Sequence, residues 1–118
     1  MTGEVLEEQL RSGLPHLPEE AVAALARAID RIVSALAPAR IYLFGSHARG
    51  DVTDLLVVVP SSDQPSYRMA QAAYHAVGSH VTPMDILVMP QEEFEWRSRS
   101  PASLPSTVLR EGKILYAA

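Results

Sequence analysis

Residues 41–50 read Ile41-Tyr42-Leu43-Phe44-Gly45-Ser46-His47-Ala48-Arg49-Gly50, and residues 54–59 read Asp54-Leu55-Leu56-Val57-Val58-Val59. Apolar runs bounded by turn residues are typical of buried strands, so this stretch predicts two interior strands joined by a tight turn. The pair Gly45-Ser46 lies in that turn. Glycine allows the backbone to approach a ligand closely, and amides of small residues after a strand can be directed at a phosphate. The turn is therefore a candidate phosphate-binding element.

The segment before the first strand has the pattern of an amphipathic helix. Pro18 and Glu19 mark its start, because proline suits the first helical turn and acids are favourable at the positive helix end. Pro38 marks its end. Its apolar residues recur at steps of three and four and predict the face that packs on the sheet: Val22, Leu25, Ile29, Ile32 and Leu36. Arg27 and Arg31 lie away from this stripe, and we interpret both as solvated.

Helical and strand patterns alternate along the rest of the chain. Helical patterns cover residues 1–13, 67–77, 90–96 and 108–111, and strand patterns cover residues 81–89 and 113–116. The resulting order α-α-β-β-α-β-α-α-β predicts an α+β (α/β-like) fold, with a small mixed sheet of about four strands and helices packed on it.

The sequence pattern predicts which of several side chains are buried and which are exposed. In the helix over residues 67–77 we expect these residues to face inward: Ala70, Ala73, Tyr74 and Val77. Gly78 is its expected stop. We expect residues 86–88 to form a buried run, Phe94 and Trp96 to be core or interface anchors, and Tyr42 to be an exposed position that could serve an interface.

Composition bounds the class of protein. The chain has 118 residues, of which 20% are charged and 47% hydrophobic, and it has no cysteine. These values are typical of a single folded domain over residues 1–118, with N-terminal helices over 1–38 and a core over 39–118. They exclude a disulfide framework and a thiolate metal site. Because no stretch has the apolar length of a membrane span or a signal peptide, we expect a cytoplasmic protein.

The net charge of −4 disfavours non-specific binding to nucleic acid, which needs a basic surface. A small anionic substrate then requires cations concentrated at its own site. A basic protein partner suits this charge equally well.

Two carboxylates stand at the start of otherwise apolar strands. Asp54 opens the second predicted strand, and Asp85 comes directly before residues 86–88. A buried carboxylate needs a cation or several N–H donors beside it. Either acid alone is explained as a local cap of a strand end, but the two together with the Gly-Ser turn favour a divalent metal site. Mg²⁺ prefers one or two carboxylates plus phosphate oxygens, and two-metal sites stabilise in-line attack at phosphorus.

The octet over residues 43–50, followed by the strand that begins Asp54-Leu55-Leu56-Val57, resembles the minimal nucleotidyltransferases of the DNA polymerase β-like superfamily. The resemblance extends over residues 41–116 and implies the nucleotidyltransferase fold. It also implies a site in which three acids hold two Mg²⁺ ions. Asp54 matches the second acid. Asp85 matches the third, whose role in the family includes activating the attacking hydroxyl.

The resemblance also implies a place for the nucleotide. Gly45 and Ser46 match the turn that holds the triphosphate, and Arg49 would pair with its charge. The implied substrate is ATP or another nucleoside triphosphate. There is no Walker-type phosphate loop and no G-x-S-x-G elbow that would make Ser46 a hydrolase nucleophile. Among the four histidines, His47 alone has a position from which it could touch substrate.

One departure from the family concerns its first acid. That acid should stand two residues before Asp54, where the chain has Val52, and the connection from Gly50 to Asp54 is shorter than the family's usual spacing. Asp51 is the nearest acid, but an odd offset places it on the other face unless the strand has a bulge. Either a short loop of the whole protein is missing from this sequence, or the chain has lost a metal ligand. We favour the first, because a deletion confined to the catalytic turn is unusual.

Three functions remain open. The first is a minimal nucleotidyltransferase that transfers a nucleotidyl group, AMP by expectation, to a hydroxyl. Its partner by family resemblance is a helical HEPN-type protein, which such chains neutralise as antitoxins in toxin–antitoxin pairs. The second is a catalytically inactive binding module of the same fold that neutralises or regulates a partner. The third is a generic small-ligand or regulatory domain. A homo- or hetero-oligomer is compatible with each of them.

Overall fold

The computed structural model describes residues 7–8, 10–12, 18–44, 53–61, 63–78 and 84–118. Its elements in chain order are helix α1 (Glu19–Leu36), strands β1 (Arg40–Phe44) and β2 (Thr53–Val59), helix α2 (Ser66–Val77), strand β3 (Met84–Pro90), helices α3 (Gln91–Arg97) and α4 (Leu104–Glu111), and strand β4 (Lys113–Ala117). Residues 7–8 and 10–12 are also helical. The predicted alternation of helices and strands is confirmed.

The strands form one four-stranded sheet in the order β3-β2-β1-β4. Strand β1 runs antiparallel to both β2 and β4, whereas β2 and β3 are parallel. The sheet is therefore mixed, which confirms the predicted α+β class. Strands β3 and β4 are its two edges.

Helices cover both faces of the sheet. On the first face, α1 and α2 bury the apolar odd-numbered residues of β2, which are Leu55, Val57 and Val59. On the second face, α3 and α4 pack over a smaller cluster: Tyr42, Leu56, Val58, Met89, Phe94 and Val108. Because successive strand residues point to opposite faces, cover on both sides explains the unbroken apolar run from Leu55 to Val59. We call these the first face and the second face of the sheet.

Helix α1 has the predicted apolar face, with Val22, Leu25, Ile29 and Ile32 buried and Leu36 partly buried. The interpretation of Arg31 as solely solvated was wrong. Its Nη1 donates a hydrogen bond of 2.8 Å to the carbonyl oxygen of Val77, at the C-terminal end of α2. Arg27 is exposed, as expected. The Arg31 guanidinium thus joins the two helices of the first face.

Helix α2 ends where the glycine signal predicts. Gly78 has φ +67° and its amide donates to the carbonyl oxygen of Tyr74 at 3.0 Å. Ala73 and Val77 are buried and Ala70 is partly buried, but the inward position of Tyr74 was wrong, because 41% of that residue is exposed. Tyr74 lies at the margin of the helix–sheet contact, where its hydroxyl reaches the edge strand.

Two further burial expectations were wrong, and each depends on cover that the sequence does not display. Leu87 is 45% exposed because edge strand β3 is only partly covered on its second face. Tyr42 is buried, because Phe94 of α3 stacks on its ring with the centroids 5.5 Å apart. Phe94 is a core residue, as expected. Trp96 is exposed, so its role as an interface anchor stays a prediction.

Helix α4 begins earlier than its sequence pattern suggests. Residues 104–107, which precede the predicted helical pattern, are already helical, because Ser103 caps α4 through its Oγ, which accepts from the amide of Ser106 at 3.2 Å. Proline is tolerated in that first turn, where its missing N–H has no helical partner. Gly112 ends α4 and leads directly into β4.

No helix in the described ranges is long and apolar enough to cross a membrane. The division into residues 1–38 and 39–118 as parts of one domain stays a prediction. Helix α1 of the first part and the sheet of the second contribute to the same core cluster.

Candidate active site

Asp54 and Asp85 are register partners in the parallel pair β2–β3. Each is the second residue of its strand, Asp54 after Thr53 and Asp85 after Met84. Neighbouring strands lie about 4.8 Å apart, so the two backbones hold the carboxylates side by side. Parallel pairing continues in the same register to Val59 and Pro90, which fixes this juxtaposition along the length of both strands.

Both acids lie on the second face of the sheet. Asp54 lies two and four residues before Leu56 and Val58, and Asp85 lies four residues before Met89, so each acid points to the same face as those residues. Leu56, Val58 and Met89 belong to the core cluster of the second face. Phe44, the antiparallel partner of Asp54 and the last residue of β1, packs against the same cluster. We call the margin formed by Phe44, Asp54 and Asp85 the acid end of the sheet.

The acid end is accessible to solvent. Asp85 is exposed and Asp54 is of intermediate exposure, although both lie in a sheet whose next residues, Leu55 and Ile86, are buried. One step further along the same face, Leu56 is buried while its register partner Leu87 is 45% exposed. The second face is therefore open beside the acids on the β3 side, where a substrate could approach.

A tyrosine from the first face reaches the start of β3. Tyr74 Oη accepts a hydrogen bond of 2.8 Å from the amide nitrogen of Ile86. That amide belongs to the peptide group that follows Asp85. Sequence reasoning missed this contact, since the helical position of Tyr74 indicated burial. No local signal pairs a tyrosine hydroxyl with an amide on a distant strand.

The donor set at the acid end suits a hard divalent cation. Two adjacent carboxylates match Mg²⁺, which proteins hold through one or two carboxylates together with phosphate oxygens. Within the described ranges, no group of three or more histidine, aspartate and glutamate side chains could hold a metal ion. Asp54 and Asp85 thus fit Mg²⁺ completed by substrate oxygens, and do not form an all-protein cage.

The other predicted site residues lie outside the described residues. These are Gly45, Ser46 and Arg49, together with His47, Asp51 and Val52. Gly45 directly follows Phe44 in the chain and Val52 directly precedes Thr53, so residues 45–52 connect the strand ends that lie at the acid end. The proposed nucleotide contacts of Gly45, Ser46 and Arg49 stay predictions, and so do both explanations of the short connection.

Two surface cavities flank the exposed Trp96, away from the acids. One, of about 440 Å³, is lined by Pro60, Ser61, Pro90, Glu92, Glu93 and Trp96. The other, of about 610 Å³, is lined by Trp96, Arg97, Arg99, Ser100, Pro101 and Ser103. Pro60 and Pro90 follow or end the same two strands that the acids begin, so the first cavity lies at the opposite end of β2 and β3. Neither cavity is lined by Asp54 or Asp85, so we do not assign the chemistry to them despite their volume.

Comparison with protein families gives one finding. Residues 24–115 match the family model described as the nucleotidyltransferase domain. The matched range begins within α1 and ends within β4, so it includes β1, β2 and β3 in full, the first residues of β4, and both acids. Neither the curated proteins nor the solved structures give a significant match to the chain.

Proposed function

This chain belongs to the nucleotidyltransferase domain family, and from that premise we propose that it transfers AMP from ATP to a hydroxyl acceptor. Family membership supports nucleotidyl transfer in general. The observation that carries the proposal to this chain is the register pairing of Asp54 with Asp85 at an accessible margin of the sheet. Paired carboxylates at such a place would stabilise a metal–triphosphate complex better than they stabilise the fold.

The proposed reaction divides the work between the two acids. The acceptor oxygen bonds to the α-phosphorus of ATP, the bond from that phosphorus to the bridging oxygen breaks, and pyrophosphate leaves. Asp85 takes the proton of the attacking hydroxyl, which can reach it because the side chain is exposed, and Asp54 lies on the triphosphate side as a ligand for the metal. When bound, Mg²⁺ neutralises phosphate charge, and Asp54 and Asp85 are the residues that would hold it.

The turn over residues 45–50 would complete the nucleotide site. We propose that Gly45 and Ser46 present amides to the triphosphate and that Arg49 pairs with its charge. The position of the turn in the chain supports this proposal, because Gly45 directly follows Phe44, the register partner of Asp54.

The acceptor would be supplied by a second protein. We propose a helical HEPN-type protein, as the family resemblance implies, with this chain acting as its antitoxin. The acidic net charge of −4 supports a basic protein partner over nucleic acid.

Label transfer tests the enzymatic proposal. The chain is incubated with Mg²⁺, a HEPN-type protein and ATP that carries its label on either the α- or the γ-phosphate. We expect the α-label alone to appear on the acceptor, since nucleotidyl transfer expels the β- and γ-phosphates as pyrophosphate. Asp54→Asn and Asp85→Asn should abolish the transfer, whereas Asp63→Asn, in an exposed loop, should not. Transfer of the γ-label would overturn the proposal in favour of a kinase.

A second candidate is the catalytically inactive binding module. The observation that favours it is the lack, within the described part of the chain, of a three-membered cluster of metal-ligating side chains. Val52 at the expected position of the first acid agrees with it. The same variants separate the two functions: an inactive module would neutralise its partner without ATP, and would do so equally well with Asp54→Asn and Asp85→Asn.

A further inference from the structure

Tyr74 combines an exposed ring with a partnered hydroxyl. The residue is 41% exposed, in contrast to its neighbour Ala73, which is fully buried in the core cluster of the first face. Its ring is therefore not required to fill the core. The specific contact that the side chain makes is the 2.8 Å hydrogen bond that its Oη accepts from the amide of Ile86.

The Ile86 amide belongs to an edge strand. Among the described residues β3 pairs with β2 alone, so its amides that do not face β2 have no ladder partner there. Such amides are normally left to water. Without a protein acceptor, nothing on that side of the strand holds it in place. Tyr74 provides a protein acceptor for one of them, two residues from the start of β3. The hydroxyl thus holds the beginning of the edge strand against α2.

The position of that amide is directly relevant to Asp85. The nitrogen of Ile86 and the carbonyl carbon of Asp85 share one planar peptide group, so a bond at this nitrogen restricts rotation about the Cα–C bond of Asp85. That rotation sets how the Asp85 side chain is oriented relative to the plane of the sheet. Asp54, its register partner, lies within the sheet on central strand β2, which is paired on both sides. Asp85 is therefore the acid that needs additional support.

The support itself rests on a fixed scaffold. Helix α2 packs on both α1 and β3. The Arg31 guanidinium joins the last carbonyl of α2 to α1, where Ile29 and Ile32 are fully buried. A chain of contacts therefore runs from the core through α1 and α2 to the Tyr74 hydroxyl and the peptide group of Asp85.

We propose that Tyr74 is a positioning residue for Asp85, which it orients for metal and substrate through the Asp85–Ile86 peptide group. This inference rests on the proposed function, because it assigns to Tyr74 a role in the same site. Tyr74 touches no reacting atom. Its hydroxyl acts only through the backbone.

The test compares Tyr74→Phe with Tyr67→Phe. Both substitutions remove one tyrosine hydroxyl from the exposed side of α2, but Tyr67 is 61% exposed and its hydroxyl makes no hydrogen bond within the described residues. Two quantities are measured for each variant and the wild type: hydrogen exchange of the Ile86 amide by NMR, and the apparent Mg²⁺ affinity in the presence of ATP by calorimetry.

We expect Tyr74→Phe to accelerate Ile86 exchange and to weaken the apparent Mg²⁺ affinity by about fivefold each, as the loss of one neutral hydrogen bond implies. Its unfolding temperature should fall by a few degrees at most, and Tyr67→Phe should match the wild type in every measurement. A merely structural tyrosine would give the same small fall in unfolding temperature with no effect on the Mg²⁺ affinity.

Two outcomes overturn the inference and are distinguishable from each other. If the wild type takes up ATP with Mg²⁺ and Tyr74→Phe does so equally well, the positioning role is wrong and the proposed function stands. If the wild type shows no Mg²⁺-dependent ATP binding, the proposed function fails together with the role of Tyr74, and this is known before any variant is made.

Discussion

Asp54 and Asp85 occupy the same register position of two parallel neighbouring strands, although they are far apart in the chain. In both strands the second residue is an acid, and the residues that follow belong mostly to the core clusters of the two sheet faces. Parallel pairing of the residues that follow, up to Val59 and Pro90, holds the two acids side by side. The apolar core therefore fixes the geometry of the polar margin.

The first prediction concerns the loss of stability caused by the repulsion between Asp54 and Asp85. Like charges on directly opposed strand positions are destabilising, so Asp85→Asn should raise the free energy of unfolding by about 0.2–1 kcal/mol in the absence of divalent ions. Mg²⁺ with ATP should remove this advantage, because the wild type then gains a ligand that the variant lacks. Urea unfolding with and without Mg²⁺–ATP measures both effects, with Asp63→Asn as the control. A loss of stability in Asp85→Asn without ligand would contradict the account.

The second prediction separates the two aromatic residues of α3. Phe94 is buried and stacks on Tyr42, whereas Trp96 is 66% exposed. Phe94→Ala should lower the free energy of unfolding by about 3–5 kcal/mol through loss of apolar contact and creation of a cavity. Trp96→Ala should lower it by less than about 1 kcal/mol. Equal losses, measured by urea unfolding, would show that the second face is packed differently.

The third prediction concerns the link between α1 and α2. Arg31→Met retains an unbranched side chain but removes the bond to the Val77 carbonyl, and should lower the free energy of unfolding by about 1 kcal/mol. Arg27→Met is the matched control on the same helix. Both arginines are exposed, but Arg27 makes no hydrogen bond to another described residue, so its change should stay within about 0.5 kcal/mol of the wild type. Chemical denaturation is the measurement. Indistinguishable variants would mean that the guanidinium does not join the helices.

The fourth prediction concerns Gly112, which lies between α4 and β4. A Cβ atom there would come within 2.8 Å of the Leu43 carbonyl oxygen and 2.7 Å of the Val108 carbonyl oxygen. Both atoms are backbone, so neither can move aside cheaply. Gly112→Ala should lower the free energy of unfolding by about 1–3 kcal/mol.

The neighbouring substitution Glu111→Ala serves as the control for Gly112, because Glu111 is exposed and its change should be within about 0.5 kcal/mol. Differential scanning calorimetry compares the two variants. If Gly112→Ala unfolds at the wild-type temperature, the close approach of α4 to β1 is incorrect.

The fold was largely predictable, because its signals are local. Pro18 with Glu19, Gly78 and the unbroken run from Leu55 to Val59 mark the helix start, the helix stop and the central strand. The errors concern cover from distant elements. Tyr42 is buried by Phe94 of α3, and Leu87 is exposed because β3 is a partly covered edge. Neither fact is encoded within a few residues of the side chain concerned.

The sequence singles out acids for the candidate site but does not display how they are arranged. Asp54 and Asp85 stood out individually as acids at the start of apolar strands. Their register depends on the pairing of two separate segments, which one sequence does not display. The contact between Tyr74 and Ile86 is still less accessible to sequence reasoning, since it joins a helix to the unpaired side of a strand.

The most direct measurement of the central claim is a calorimetric titration of ATP, with and without Mg²⁺, on the wild type, Asp85→Asn and Asp63→Asn. We expect the wild type and Asp63→Asn to bind ATP in the presence of Mg²⁺. Asp85→Asn should lose this binding, although its circular dichroism spectrum should show that it is still folded. Such a result would mean that the paired acids form a working metal–nucleotide site. No binding in any condition, or equal binding by Asp85→Asn, would contradict the claim and leave the chain as a binding module with the family fold.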